Sequence, residues 1–444
     1  MAPRGSRCWP RPLRSLGSAQ RPAPCRCRCR QARSRRSIAS DVGCSGLGGD
    51  VPTMKKTSAF YVLCVVGGLA IFSSTIAKNP VLPILAQEIG AGKALIGLIA
   101  AASTVTGILT SLPAGVLSDR LGRRPVMIGS GVVFFTAPLC YFLVREPWQL
   151  ALVRVHHGLA TAVFGPVAMA FVADLAPTRR GERLGYYSSS TLIGRAIAPV
   201  VGGAILAATI WQGVYVACAV AGALALAGMF LLPDTLSVPS AQDEPIGDRA
   251  PLRRILADRN ILVTSVAEAA QFLAFGALEA FLPLYALSVG VSKAAVGLLF
   301  GVQVGVRTLA RPLMGILSDR YGRKGPIVAG LLVTAAATVL FAQVRSWLLL
   351  LSLSVVFGMG LSVASAATSA FVADLAPAAG RGAALGFMST IMDVGQACGP
   401  VLLGAILETA SYQWGFAVVG GLVLAAALSF SLVARPALQP ARAG

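Results

Sequence analysis

Eight ionisable side chains stand inside long apolar runs of this chain: Arg154, His156, His157, Arg195, Glu268, Arg307, Arg311 and Asp393. An ionisable group in a hydrocarbon core costs about 2.5–3.5 kcal/mol on insertion scales, so each marks a functional candidate with a partner or water beside it. Glu268 is the leading proton carrier. A deep carboxyl, set between burial and a nearby cation such as Arg154, can load and unload a proton. The ordinary alternative is a neutral, hydrogen-bonded structural Glu. Gln271 and Phe275 fall within about 60° of Glu268 at 100° per residue, so they share its face. Arg307 and Arg311 are four residues apart and share a helix face. Asp393 is either the ion-pair partner of one of them or a second coupling carboxylate. His156 and His157 are adjacent, so only one can face a central cavity. Histidine can switch there near neutral pH, although a core hydrogen bond is its commoner use. Glu279, three turns beyond Glu268, reads as a solvated group near the outer surface.

The elements that must hold these groups are membrane helices. The 444 residues are 55% apolar and 13% charged, with a mean hydropathy of +0.73. That is too apolar for a soluble protein of this size. A helix crosses the bilayer core with about 20 apolar residues. Runs of that length recur at 58–77, 94–117, 125–144, 148–173, 184–209, 212–232, 260–285, 294–317, 325–344, 347–373, 383–409 and 413–434. The expected fold is an all-α membrane protein of twelve spans, in two six-helix bundles over 54–232 and 260–434. A Pro-rich central loop, 233–259, joins them, and a tail follows at 435–444. Glu268 then lies about nine residues into its helix, about 14 Å deep and close to the midplane.

A net charge of +20 raises nucleic acid as a partner, but the distribution excludes it. Eleven arginines fall in residues 1–53, and most other basic residues sit in short loops on alternate sides of the apolar runs. One set holds Arg120, Arg123, Arg124, Arg179, Arg180, Arg183, Arg320, Arg323, Lys324 and Arg381, with Arg249, Arg253, Arg254 and Arg259 in the central loop. The opposite set holds only Lys78, Lys93, Arg145, Lys293 and Arg345. The positive-inside rule therefore places both termini in the cytoplasm. Residues 1–53 are Arg-, Pro-, Cys- and Ser-rich and read as a disordered or spurious extension, with a transit-like presequence as the alternative. Met54-Lys55-Lys56 before an apolar helix reads as the start of a bacterial inner-membrane protein. The nine cysteines form neither a disulfide framework nor a zinc pattern.

An internal repeat is the most specific feature. At an offset of 200 residues, Gly115-Val-Leu-Ser118-Asp119-Arg120-Leu-Gly122-Arg123-Arg124 recurs as Gly315-Ile-Leu-Ser318-Asp319-Arg320-Tyr-Gly322-Arg323-Lys324. Phe171 to Pro177 recurs unchanged as Phe371 to Pro377, and Pro83, Gly90, Lys93 and Gly97 match Pro283, Gly290, Lys293 and Gly297. Beyond Pro377 the offset is 201, aligning Gly185, Gly194 and Pro199 with Gly386, Gly395 and Pro400. The buried charges break the repeat: Glu268 faces Gly68, Arg307 faces Gly107, Arg311 faces Ser111, Asp393 faces Leu192 and Arg195 faces Gln396. Residues shared by both halves suit common machinery, and unshared polar residues suit a substrate.

On these residues the chain resembles the major facilitator superfamily from Met54 to its end. The Gly-x-x-x-Asp-Arg-x-Gly-Arg-Arg loop is similar to that family's signature. Arg154-x-x-His157-Gly158 resembles its fourth-helix motif. Gly185, Gly194, Pro199, Gly202 and Gly203 resemble the fifth-helix motif of the drug/proton antiporter branch, departing from it at Ala198 and Arg195. These small residues also let a neighbouring helix approach closely. The resemblance implies alternating access around a central cavity lined by the seventh helix. It also implies a cytoplasmic gate: Asp119 facing the N-terminus of the eleventh helix, Arg123 or Arg124 pairing with Asp174, and Asp319, Arg320, Arg323 and Asp374 repeating the arrangement beside Arg120.

The function expected is proton-coupled efflux of small amphipathic or cationic compounds, with proton-coupled uptake of an organic anion or metabolite as the alternative. Arg154, Arg195, Arg307 and Arg311 outnumber the two deep acids and suit the latter. Expected partners are the small-molecule substrate, a proton and the lipid bilayer, with the chain acting as a monomer. No cofactor, metal or enzymatic activity is expected, because no Gly-Lys-Ser/Thr phosphate loop or nucleophile constellation is present.

Overall fold

The computed structural model describes residues 56–175, 179–234, 257–377 and 380–434. The extension over 1–53, the tail over 435–444, and positions 235–256 of the central loop with Arg249, Arg253 and Arg254 lie outside the described residues. Among the described residues, twelve helices are long and apolar enough to span a membrane: α1 Ser58–Glu88, α2 Lys93–Leu121, α3 Arg123–Leu143, α4 Pro147–Leu175, α5 Arg180–Ala208, α6 Trp211–Phe230, α7 Arg259–Ser288, α8 Lys293–Tyr321, α9 Lys324–Phe341, α10 Trp347–Leu375, α11 Arg381–Leu407 and α12 Tyr412–Val433. In lipid each backbone amide must find its partner within the segment, so apolar runs of this length become helices.

α1 departs from the sequence expectation. It breaks after Ile76, resumes at Val81 and runs on to Glu88. The hydropathy run ends at the polar pair Lys78-Asn79, and Pro80 has no amide hydrogen to donate, so sequence reading stops short of the last turns.

The two halves match in their turns as well as their spans. Gly90 and Gly290 end α1 and α7 at φ +83° and +87°, and Gly122 and Gly322 turn the chain after α2 and α8 at φ +93° and +83°. These left-handed conformations are reserved in practice for glycine. Asp258 caps α7 by accepting hydrogen bonds from the amides of Asn260 (2.8 Å) and Ile261 (3.0 Å).

The α2–α3 and α8–α9 loops mark a basic-loop face; the opposite end of the molecule is the far face. The bundles meet through α2 on α11 and α5 on α8, and the contacts lie toward the far face. A methyl placed on Gly97 would strike the Pro400 carbonyl, and one on Gly297 the Pro199 carbonyl, which is the same contact made twice by the repeat. A methyl on Gly203 would lie 2.7 Å from the Gly297 Cα, and one on Gly404 2.6 Å from the Lys93 carbonyl. Only glycine allows backbones this close. Toward the basic-loop face the four helices part. Gly107 and Gly115 of α2, Gly185 of α5, Gly305 and Gly315 of α8 and Gly386 of α11 each have open space where a side chain would be.

Candidate functional site

Between the bundles lies a cavity of about 710 Å³, well within the size range of small-molecule sites. α4 brings Arg154 and His157 to its wall, α5 Arg195, α7 Glu268 and Phe275, α8 Arg307 and Arg311, and α11 Asp393. Sequence positions more than 230 residues apart thus meet around one space.

Glu268 is 2% exposed, and its Oε2 accepts a hydrogen bond from the Thr368 hydroxyl at 2.8 Å. Arg307 stacks on Phe272 (4.7 Å to the ring centre) and Phe275 (5.5 Å). Arg154 is 3% exposed and donates to two neutral oxygens, the Tyr141 hydroxyl (3.2 Å) and Ser103 Oγ (2.5 Å). His157 Nδ1 lies 3.4 Å from the same Tyr141 hydroxyl, and its Nε2 has no hydrogen-bond partner. His156 turns away toward Thr136, 3.3 Å distant, so only one of the adjacent histidines reaches the cavity. Arg195, Arg307, Arg311 and Asp393 form no ion pair within 4 Å among the described residues. Of the two readings of Asp393, the ion pair with an arginine is therefore not formed.

Two placements differ from the sequence reading. Gln271 does not line the cavity: it is fully buried and donates to the Gly360 carbonyl at 3.1 Å and Thr334 Oγ1 at 3.4 Å. Its 60° offset from Glu268 turns it toward α9 and α10 instead. Glu279 is not a solvated surface group. Eleven residues past Glu268, on nearly the same face, it closes the far end of the cavity. Lys78 Nζ lies 2.5 Å from its Oε2 and Asn79 Nδ2 donates to Oε1 at 2.7 Å, both from the other bundle. Gln396 Nε2 adds a longer bond of 3.4 Å. Helix depth alone hid this cluster. A signal was present in the repeat, where polar Asn79 stands at the position of Glu279. Further cross-bundle bonds lie at the same end: Ala94 N to Glu408 Oε1 at 2.8 Å and Lys93 Nζ to the Tyr412 hydroxyl at 3.3 Å.

At the basic-loop face the repeat is realised in side chains. Arg123 ion-pairs with Asp119, donates to Ser118 Oγ at 2.6 Å and reaches Asp174 at 3.3 Å. Arg323 repeats this with Asp319, with Ser318 Oγ at 3.3 Å and with Asp374 at 2.9 Å. Partial burial works against the Arg323 charge, but the hydrogen bonds and charges of Asp374 and Asp319 outweigh it and raise its pKa above the ordinary value. Arg124 does not pair with Asp174; it ties α3 to the end of α6 through Asp234 (3.1 Å) and the Phe230 carbonyl (2.8 Å). Its counterpart Lys324 ties α9 to the end of α12 through the Ala434 carbonyl at 2.8 Å. Arg120 and Arg320 are exposed. Each pair lies within one bundle and is formed while the basic-loop ends of α2, α5, α8 and α11 are parted. Of the fifth-helix motif, Gly194 packs on the Gly68 backbone, Gly202 on Ile76 and Gly203 on Gly297; Pro199 lines the cavity, and Gly185 has open space.

Comparison with known proteins agrees with this architecture. The chain is 25% identical to an MFS-type transporter of Methanocaldococcus jannaschii over 333 residues, covering 74% of this chain and 86% of the relative. It is 27% identical to the multidrug transporter MdfA of Yersinia pestis over 377 residues, covering 81% and 89%. A bacterial homolog of the human lysosomal transporter Spinster, in an inward-facing and unoccupied conformation, shares the fold with a TM-score of 0.71 at 17% identity, covering 87% of this chain and 96% of that one. The sequence profile of the Major Facilitator Superfamily matches residues 63–302 and 264–444, and the chain belongs to that superfamily of membrane transporters.

Proposed function

We propose that this transporter exports small amphipathic molecules in exchange for protons. It would sit in a bacterial inner membrane with both termini, and the basic-loop face, in the cytoplasm. The observation that carries the reading is Glu268: a buried carboxyl at the cavity wall, hydrogen-bonded to Thr368 and without an ion pair within 4 Å. Its neutral form is cheap to hold there, and its charged form is stabilised when the cavity hydrates. A multidrug transporter among the relatives and the fifth-helix motif support the outward direction.

The arrangement also supports alternating access. Far-face contacts close one end while the cavity extends toward the other, and two halves built on one repeat can close the other end by rocking against each other. A second reading, proton-coupled uptake of an organic anion, is favoured by the four cavity arginines against Glu268 and Asp393. The direction of flux separates the two.

The test is transport in proteoliposomes under an imposed pH gradient with a small substrate panel. Glu268→Gln should lower gradient-driven flux by about 100-fold, while Glu268→Asp should recover part of it. A Glu268→Gln protein that still exchanges protons and moves a neutral substrate like the parent would rule out this residue as the carrier.

A further inference from the structure

We infer that Arg195, Arg307 and Arg311 form an anion-binding subsite, and that the cargo is an organic anion with a planar apolar body resting against Phe272 and Phe275. This deepens the preceding reading, since it takes the cavity to be the transport site.

The charge count is the first argument. Lys78, Arg154, Arg195, Arg307 and Arg311 line the cavity with Glu268, Glu279 and Asp393. Lys78 is neutralised by Glu279 at 2.5 Å. Four guanidiniums remain against two carboxylates, and none of the four has a carboxylate within 4 Å among the described residues. Guanidinium cannot shed its charge the way a carboxyl can, so the cavity keeps this excess. A cationic cargo would add to it; an anion would compensate it.

The second argument is position. Arg195 belongs to α5 of one bundle, Arg307 and Arg311 to α8 of the other, and all three line the same cavity. α5 and α8 touch at Gly203 and Gly297 and again at Val200 and Gly301. The three arginines lie one to three turns further in, where the helices diverge. Like charges there oppose closure of the basic-loop face. A carboxylate, sulfonate or phosphate held between them removes that repulsion and binds the closed arrangement better than the open one. Such differential affinity is what a cargo needs in order to drive the transition.

The third argument is shape. Arg307 already lies over the Phe272 and Phe275 rings, at 4.7 and 5.5 Å. Its guanidinium edge is left for a bidentate anion while the rings and Met388, Met392 and Leu192 offer an apolar wall.

Three dansyl probes share one fluorophore and differ in charge: dansylglycine is an anion, dansylamide neutral and dansylcadaverine a cation. Binding is read by fluorescence on the full chain in phosphatidylcholine nanodiscs, with empty discs subtracted and inorganic phosphate as competitor. Dansylglycine should bind at least about tenfold tighter than dansylamide, with dansylcadaverine weakest. The dansylglycine-to-dansylamide ratio should collapse in Arg195→Gln, Arg307→Gln and Arg311→Gln and be partly kept in Arg307→Lys; a ratio is insensitive to loss of folded protein. Equal binding of the three probes, preference for the cation, or a ratio unmoved by the substitutions overturns the inference. Phosphate displacing dansylglycine at equal concentration also overturns it, because the site would then hold a bare inorganic ion. Proton exchange is measured separately. Anion preference without proton coupling keeps the subsite and removes the exchange reading; proton-coupled flux of dansylcadaverine does the reverse.

Discussion

The basic-loop face and the cavity wall follow opposite rules. At the loops the two halves carry the same residues in the same bonds: Arg123 with Asp119, Ser118 and Asp174, and Arg323 with Asp319, Ser318 and Asp374. In the cavity the halves differ at nearly every charge, with Glu268 opposite Gly68 and Arg307 opposite Gly107. The lesson is a division of labour. What both end states need is built twice, and what one cargo needs is built once.

The sharpest way to break that comparison is at the far end of the cavity. Glu279→Ala leaves the half-buried Lys78 without its partner, which costs up to about 3 kcal/mol and should cut transport about 100-fold in proteoliposomes. Replacing both partners, Lys78→Met with Glu279→Gln, should recover much of the folded stability seen in thermal unfolding, because no charge is left alone. If the double variant is no better than the single, the pair is not the reason Glu279 is buried.

Next in size is the far-face seam. Gly203→Ala and Gly97→Ala should each slow transport by roughly tenfold, since a methyl has no room at either contact and overpacking costs about 1–3 kcal/mol. The same change at Gly115 or Gly315, where space is open, should be nearly silent in this conformation; a large loss there would show that the other conformation closes on those glycines.

The loop pairs give a smaller and more diagnostic effect. Arg123→Ala and Arg323→Ala should slow flux by about fivefold each and by similar amounts, as exposed or half-buried pairs contribute up to about 1 kcal/mol. A strong inequality between them would break the claim that the repeat is shared machinery. The smallest effect belongs to Gln271→Leu. It should lower the melting temperature by a few degrees, the cost of one buried hydrogen bond of about 1 kcal/mol, with probe affinity unchanged.

Much of this was legible in the residues. Twelve apolar runs, the repeated loop and the inward-facing charges follow from length, periodicity and comparison of the chain with itself. The resemblance offered Arg123 or Arg124 as the partner of Asp174, and it is Arg123 that stands there. Two placements were not. Gln271 and Phe275 both lie near Glu268 on a helical wheel, but a wheel does not say where one neighbour ends and the next begins. Glu279 lies near the end of α7 in sequence, and only the broken helix of the other bundle, bringing Lys78 and Asn79 across, encloses it. Contacts between helices from separate halves carry no local signal.

Asn79 and Glu279 hold one more implication. They stand at equivalent positions of the two halves, and they bond to each other at 2.7 Å. A residue that touches its own counterpart sits on the twofold axis. In a dimer of identical six-helix chains that spot would hold two carboxylates, which repel, or two amides, which cannot anchor Lys78. Within one polypeptide the two sides of the axis can differ, so a single carboxylate meets an amide and Lys78 at that spot.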